Sequence, residues 1–351
     1  MRENRGRWSV KFAGATAIAM LIVGVVTTTT PVDAQTQKNP VHTSTITVSA
    51  TSSRAVARAG TRTTARWSHA VDTSNLAAVD NAYRTAYAPK LTQLIDWIGG
   101  SVLGCLPGLS SLLTNNSTLS SLNFVRSMAG LAPVVFSPSL NIAAQRAALM
   151  MAANNTLSHD PPSNWKCWTK SGATSASRSD LILAYPSLTA GQVISLYMSD
   201  PGTTNYAAGH RRWILYPFTT VMGNGSTNVS NALTVIGPSN ANRPNPRWVG
   251  WPTAGYFPNP IEPDGRWSLS SGLSNVSFAH AKVSVFKGYL PVHIRQYGIH
   301  VGYGQPTVVW QMPSGFDKSA SYRVVVTGVK QAGVARPLRA AYVVRLFTPS
   351  R

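Results

Sequence analysis

The chain has 351 residues, with 31 Lys and Arg against 11 Asp and Glu, a formal net charge of +20 and a pI near 10.5. A hydrophobic share of 44% is enough to bury a core, which excludes a wholly disordered basic tail. Glu3 and Glu262 are the only glutamates, so a mechanism built on paired glutamates is excluded.

Residues 1–34 read as a secretory signal. Arg2, Arg5, Arg7 and Lys11 form a basic start, residues 12–26 are apolar, and Val32-Asp33-Ala34 offers small residues before a cut at Gln35. The apolar run is short for a span of about 20 residues, and an uncleaved anchor is the alternative. No later segment has the length and apolarity to cross a bilayer, so signal cleavage leaves no transmembrane segment. Residues 35–79 follow as a basic Ser/Thr/Ala-rich tether, in which Arg54, Arg58, Arg62 and Arg66 recur every four residues. Like charges at that spacing repel on a helix, so the segment is either a basic arm on an anionic surface or a plain solvated linker.

From residue 81 the pattern turns helical. Tyr83, Tyr87, Leu91, Leu94, Ile95 and Ile98 share a face up to Gly99-Gly100, with a kink or break at Pro89. Cys105 and Cys167 are an even pair in an exported chain and predict one disulfide. A second short helix is expected over 119–128. The clearest helix starts after Ser137 with Pro138 at its first position, carries the stripe Leu140, Ala144, Ala147, Ala148 and Met151, and stops at Asn154-Asn155. Further helices are expected over 189–198, ending at Asp200-Pro201-Gly202, and over 207–215. Past the Pro/Asn hinge at 242–246, short β runs are expected at 247–251, 266–270, 281–286, 292–294, 307–311, 322–329 and 339–347. Seven short strands in about 100 residues fit an immunoglobulin-like sandwich.

Two histidines stand apart. His159 follows the clearest helix, and His210 lies in Gly209-His210-Arg211-Arg212-Trp213-Ile214-Leu215. Two imidazoles brought into one cleft bind a divalent metal or shuttle protons, although a lone histidine at a helix end is more often a packing residue. The run from Ala143 to His159 followed by that second motif resembles the CAP superfamily of cysteine-rich secretory, antigen 5 and pathogenesis-related proteins, over residues 81–237. The resemblance implies an α-β-α sandwich whose two histidines face a central cleft, with zinc bound in many members and two glutamates beside it. Neither glutamate is present here. Asp180 and Asp200 stand near the corresponding places, and Asp160 follows His159. The aromatic run Trp251-Pro252-Thr253-Ala254-Gly255-Tyr256-Phe257-Pro258, with Trp267, resembles the β-sandwich appended to some bacterial CAP proteins.

The sequence therefore predicts an α+β chain: signal peptide 1–34, tether 35–79, CAP-like α-β-α sandwich 80–240 and all-β immunoglobulin-like sandwich 241–351. The expected function is a secreted, non-enzymatic binding protein, outside the cell or at its surface. The alternative is a metal-dependent hydrolase working through His159 and His210. Zinc or another divalent cation is expected to bind these two weakly, with Asp160, Asp180 and Asp200 as auxiliary cleft residues. An anionic wall polymer, glycan or lipid surface fits the charge. No helix-turn-helix, zinc-finger or RNA-binding signature is present, which argues against a specific nucleic-acid partner.

Overall fold

The computed structural model describes residues 70–350; the signal and most of the tether lie outside the described residues. The first helix, α1 (Leu76–Ala82), is capped by the Asn75 side chain, which accepts from the Ala78 N–H. The helical path continues as a π-turn at Tyr83–Tyr87 and a 3₁₀ turn at Ala88–Leu91, with Pro89 near the start of the latter. The expected helix to residue 98 therefore ends at Leu91. Pro89 leaves that turn without one backbone donor, and the chain then bridges Leu94 to Thr189 and enters β1 (Trp97–Ile98), paired antiparallel with β2 (Leu109–Ser110). Tyr83, Tyr87 and Ile95 are buried as the helical spacing implies, whereas Leu94 and Ile98 are exposed.

Helix α2 (Leu112–Met128) begins seven residues earlier than expected. Residues 114–118 in its first half are threonine, asparagine and serine, which conceal a helix because they compete for backbone hydrogen bonds. Here Ser111 caps it, and Thr114, Ser117, Thr118 and Ser121 are buried. After β3 (Val135–Phe136) comes α3 (Pro138–Asn154), which ends in a left-handed Asn155 as the sequence suggests. Then follow α4 (Lys170–Ala176), β4 (Ser179–Leu183), α5 (Ala190–Ser199), α6 (Gly209–Ile214), β5 (Val221–Ser226) and β6 (Ser230–Thr234). Helix α5 opens with a full capping box between Thr189 and Gln192 and closes on a left-handed Asp200.

Strands β3, β5, β6 and β4 form one sheet in that order. Its alternation sends Leu181 and Ala232 into a cluster with Ala144, Ala147, Ala148 and Met151 of α3, while Ile182 and Leu233 join Val193 and Tyr197 of α5. Helices thus cover both faces. Cys105 and Cys167 are bonded, tying the loop between β1 and β2 to the segment before α4.

The remaining strands are β7 (Trp248–Trp251), β8 (Gly255–Pro258), β9 (Arg266–Ser271), β10 (Val276–Ser277), β11 (Lys282–Lys287), β12 (Leu290–Val292), β13 (Arg295–Gln296), β14 (Thr307–Gln311), β15 (Ser321–Gln331) and β16 (Leu338–Phe347). They build two sheets. One runs β13-β14-β9-β7; the other runs β12-β11-β15-β16-β8, with β10 also on β15. Trp267 of the first sheet meets Tyr322 of the second edge to face, with centroids 5.7 Å apart. Trp251, Phe257 and Trp267 are fully buried, so these aromatics are core. The pair β8–β16 is parallel, unlike the other strand pairs of these two sheets. The chain is a mixed α+β protein, and one apolar cluster runs from Val79 through Leu122 and Ile214 into Trp251 and Val344.

Candidate functional site

His210 sits in the first turn of α6, and its Nδ1 lies 2.7 Å from Asp200 Oδ1. Asp200 is placed by its left-handed backbone at the end of α5, and its side chain is completely buried. Its second oxygen accepts from the Arg211 N–H at 3.3 Å, so both carboxylate oxygens are engaged. The His210 side chain is 26% exposed and its ring lies 5.4 Å from that of Tyr197, between centroids. Burial opposes the imidazolium, but Asp200, through its charge and hydrogen bond, and Asp180, through its charge, outweigh it and raise the His210 pKa to about 9. At neutral pH the ring is a cation paired to a buried carboxylate.

Asp180 comes from β4, where it sits opposite Leu233 and therefore points to the α5 face of the sheet. Burial pushes its carboxyl well above the usual range; the His210 charge pulls the other way and Asp200 adds to the rise. Its Oδ2 is buried without a hydrogen-bond partner among the described residues. Beside it, the Tyr197 hydroxyl donates towards Asp180 O and Asn231 Oδ1, each at 3.0 Å. Asn231 in turn donates to Asn224 Oδ1 and Ser226 Oγ, both at 2.8 Å. His210, Asp200 and Asp180 thus form one electrostatic group.

His159 is exposed in the loop after α3. Its Nδ1 lies 3.0 Å from Ala176 O at the end of α4. Asn154 secures this loop by exchanging hydrogen bonds with the Lys166 backbone, both 3.0 Å long, and Trp168 Nε1 donates to Pro161 O. Asp160 is exposed beside it, and its N–H is taken by Ser158 Oγ at 3.0 Å. The hydrogen bonding thus joins Asp200 to His210 and leaves Asp160 on the outer loop. Among the described residues, no three His, Cys, Asp or Glu side chains converge as a metal-holding group. The two imidazoles nonetheless fit a metal on one count. Each has Nδ1 fixed by an oxygen acceptor, as in ligating histidines, which points Nε2 to a cation; at His210, whose pKa is raised to about 9, the metal would first have to displace the Nε2 proton.

The sequence reading missed what the arginines of the second motif do. Arg211 is buried and donates to Met198 O at 2.6 Å, Arg266 O at 2.6 Å and Ser268 Oγ at 3.2 Å. Arg212 donates to Gln305 O and lies over the Tyr303 ring, 5.5 Å from its centroid. Arg266 donates back to Asp200 O. Charged residues beside a histidine are a signal of a contact, but their targets lie 13 to 93 positions away in sequence and only the fold brings them near. No curated protein matches the chain. Residues 119–236, which run from within α2 through β6 and hold both histidines and all three aspartates, match the family model for CAP, the cysteine-rich secretory protein family, so the chain carries a CAP domain over this segment.

Proposed function

We propose that this chain is a secreted, non-enzymatic CAP-domain binding protein, acting outside the cell or at its surface, with an immunoglobulin-like β-sandwich appended to an α-β-α CAP sandwich. The observation that supports this most is the employment of the Gly209–Leu215 motif. His210 is locked to buried Asp200, and Arg211 and Arg212 tie α6 to the two-sheet region. A general base at neutral pH has to start without its proton, whereas Asp200 and Asp180 raise the His210 pKa to about 9, so this ring already carries one. The net charge of +20 favours an anionic wall polymer, glycan or lipid surface as partner.

A second reading, a metal-dependent hydrolase, draws on the anchored Nδ1 atoms of His159 and His210. In it the two Nε2 atoms would hold zinc or another divalent cation, which would polarise a substrate carbonyl or activate water. Two imidazoles supply half of a tetrahedral shell, so binding should be weak. Zinc titration calorimetry on the wild type, His159→Ala and His210→Ala tests the site. Binding by the wild type alone supports it, and equal heats from all three remove it. Zinc-dependent hydrolysis of ester or peptide substrates that both variants lose would overturn the non-enzymatic reading.

A further inference from the structure

From Trp97 to Val125 the chain has no charged residue of either sign, in a protein of net charge +20. Within this stretch Ile98, Leu103, Leu106, Leu109, Leu112 and Leu113 are all exposed, Leu103 by 99% and Leu112 by 76%. Ile98 and Leu109 lie directly opposite each other in the β1–β2 ladder and so share a face. Leu103 and Leu106 belong to the loop that joins these strands, and Leu112 and Leu113 open α2.

The base of this hairpin is firmly held. Ser110 Oγ donates to the buried Gln145 Oε1 at 2.9 Å, and Trp97 Nε1 donates to Pro107 O at 2.8 Å. The Cys105–Cys167 bond secures the loop, and Cys167 is flanked by exposed Lys166. Leucines this exposed on a fixed loop are a surface feature, not a frayed piece of core.

We propose that this leucine hairpin inserts into the interface of an anionic lipid bilayer. Its composition favours lipid over a protein groove. Protein interfaces rely on Tyr, Trp and Arg anchors within a polar rim, and leucine is under-represented among their hot spots. Here the exposed side chains are aliphatic, and glycine and serine lie between them. Stable attachment to a membrane takes two signals, an apolar insert and basic charge. The hairpin supplies the first. The second comes from the excess of Lys and Arg, including the acid-free segment 35–66. Lipid is one of the anionic partners of the proposed function, but the hairpin is a different surface from the histidine cleft, so either can fail without the other.

The test is co-sedimentation of the full chain with vesicles of phosphatidylcholine alone or mixed with phosphatidylglycerol, for the wild type and for Leu103→Ser and Leu106→Ser. The wild type should bind the mixed vesicles and much less the neutral ones. Each serine should weaken that binding about tenfold, the factor that burial of one leucine side chain supplies. Thermal melting should be unchanged, since both side chains point into solvent. Equal vesicle binding by the wild type and both serine variants would overturn the proposal. So would a wild-type dimer that the same substitutions convert to monomer, because the leucines would then be a self-association surface.

Discussion

The two faces of the central sheet are built on different principles from the same strands. Towards α3 the residues are small: Gly223, Gly225 and Ala232 meet Leu140, Ala144, Ala147 and Ala148, and the helix lies almost on the strand backbone. A Cβ on Gly225 would stand 2.1 Å from the Gln145 backbone nitrogen. Towards α5 the same strands carry Asp180, Asn224 and Asn231, buried and engaged with Tyr197 and with the His210–Asp200 pair. One face is specified by volume and the other by the identity of hydrogen-bond partners. Volume-specified faces respond to added atoms, partner-specified faces to lost ones.

The largest effect should come from breaking the polar face. Asp200→Ala strips His210 of its counter-ion and the Arg211 N–H of its acceptor, which should cost about 3–5 kcal/mol in urea unfolding. A loss under about 1 kcal/mol would mean that water replaces the carboxylate without penalty. The pair has a pH signature as well. Because the folded pKa of His210, about 9, lies above its ordinary value of 6.5, its contribution is complete below about pH 6.5 and disappears as pH rises through 9. NMR titration of metal-free protein should find that ring titrating near 9 and, in Asp200→Asn, nearer 6.5.

On the opposite face Gly225→Ala adds a single methyl where α3 backbone already sits, and should cost about 1–3 kcal/mol through forced separation of helix and strand. A neutral result would show that α3 slides freely on the sheet. The smallest change is expected at Asp180. Burial raises its carboxyl pKa well above the usual range, so the charge that Asp180→Asn removes is one the site already disfavours, and stability at pH 5 should change by less than about 1 kcal/mol. A large loss with an unchanged His210 titration would show that the acid proton itself holds the strand.

The volume-specified face could be read ahead of the structure, since its alanine and methionine stripe repeats with the helical period and its cap residues are strong signals. The sheet beneath it could not. Val221–Ser226 contains two glycines and an asparagine, residues that strands avoid, and is a strand here because α3 needs a surface without side chains. Likewise His159 and His210 stood out through their motifs, and Asp200 through its position beside the helix stop. That Asp200 turns inward to His210 depends on its left-handed backbone, and that Tyr197 lies against the ring depends on how α5 lies against α6. Neither relation exists within a local stretch of sequence.

One contact between distant parts of the chain sets how it would answer a pull. The Asp80 carboxylate in α1 accepts from the N–H and hydroxyl of Ser350, and Thr73 O accepts from the Tyr256 N–H at 2.7 Å. From Thr73, beside β8, the chain travels through the histidine-bearing region and comes back to place Ser350 against α1. Tension applied between residues 73 and 350 would load this short clasp first, in shear across a few hydrogen bonds. His210, Asp200 and the leucine hairpin lie on the stretch of chain behind it. A pull on residues 73 and 350 would leave all of these at rest until the clasp gave way.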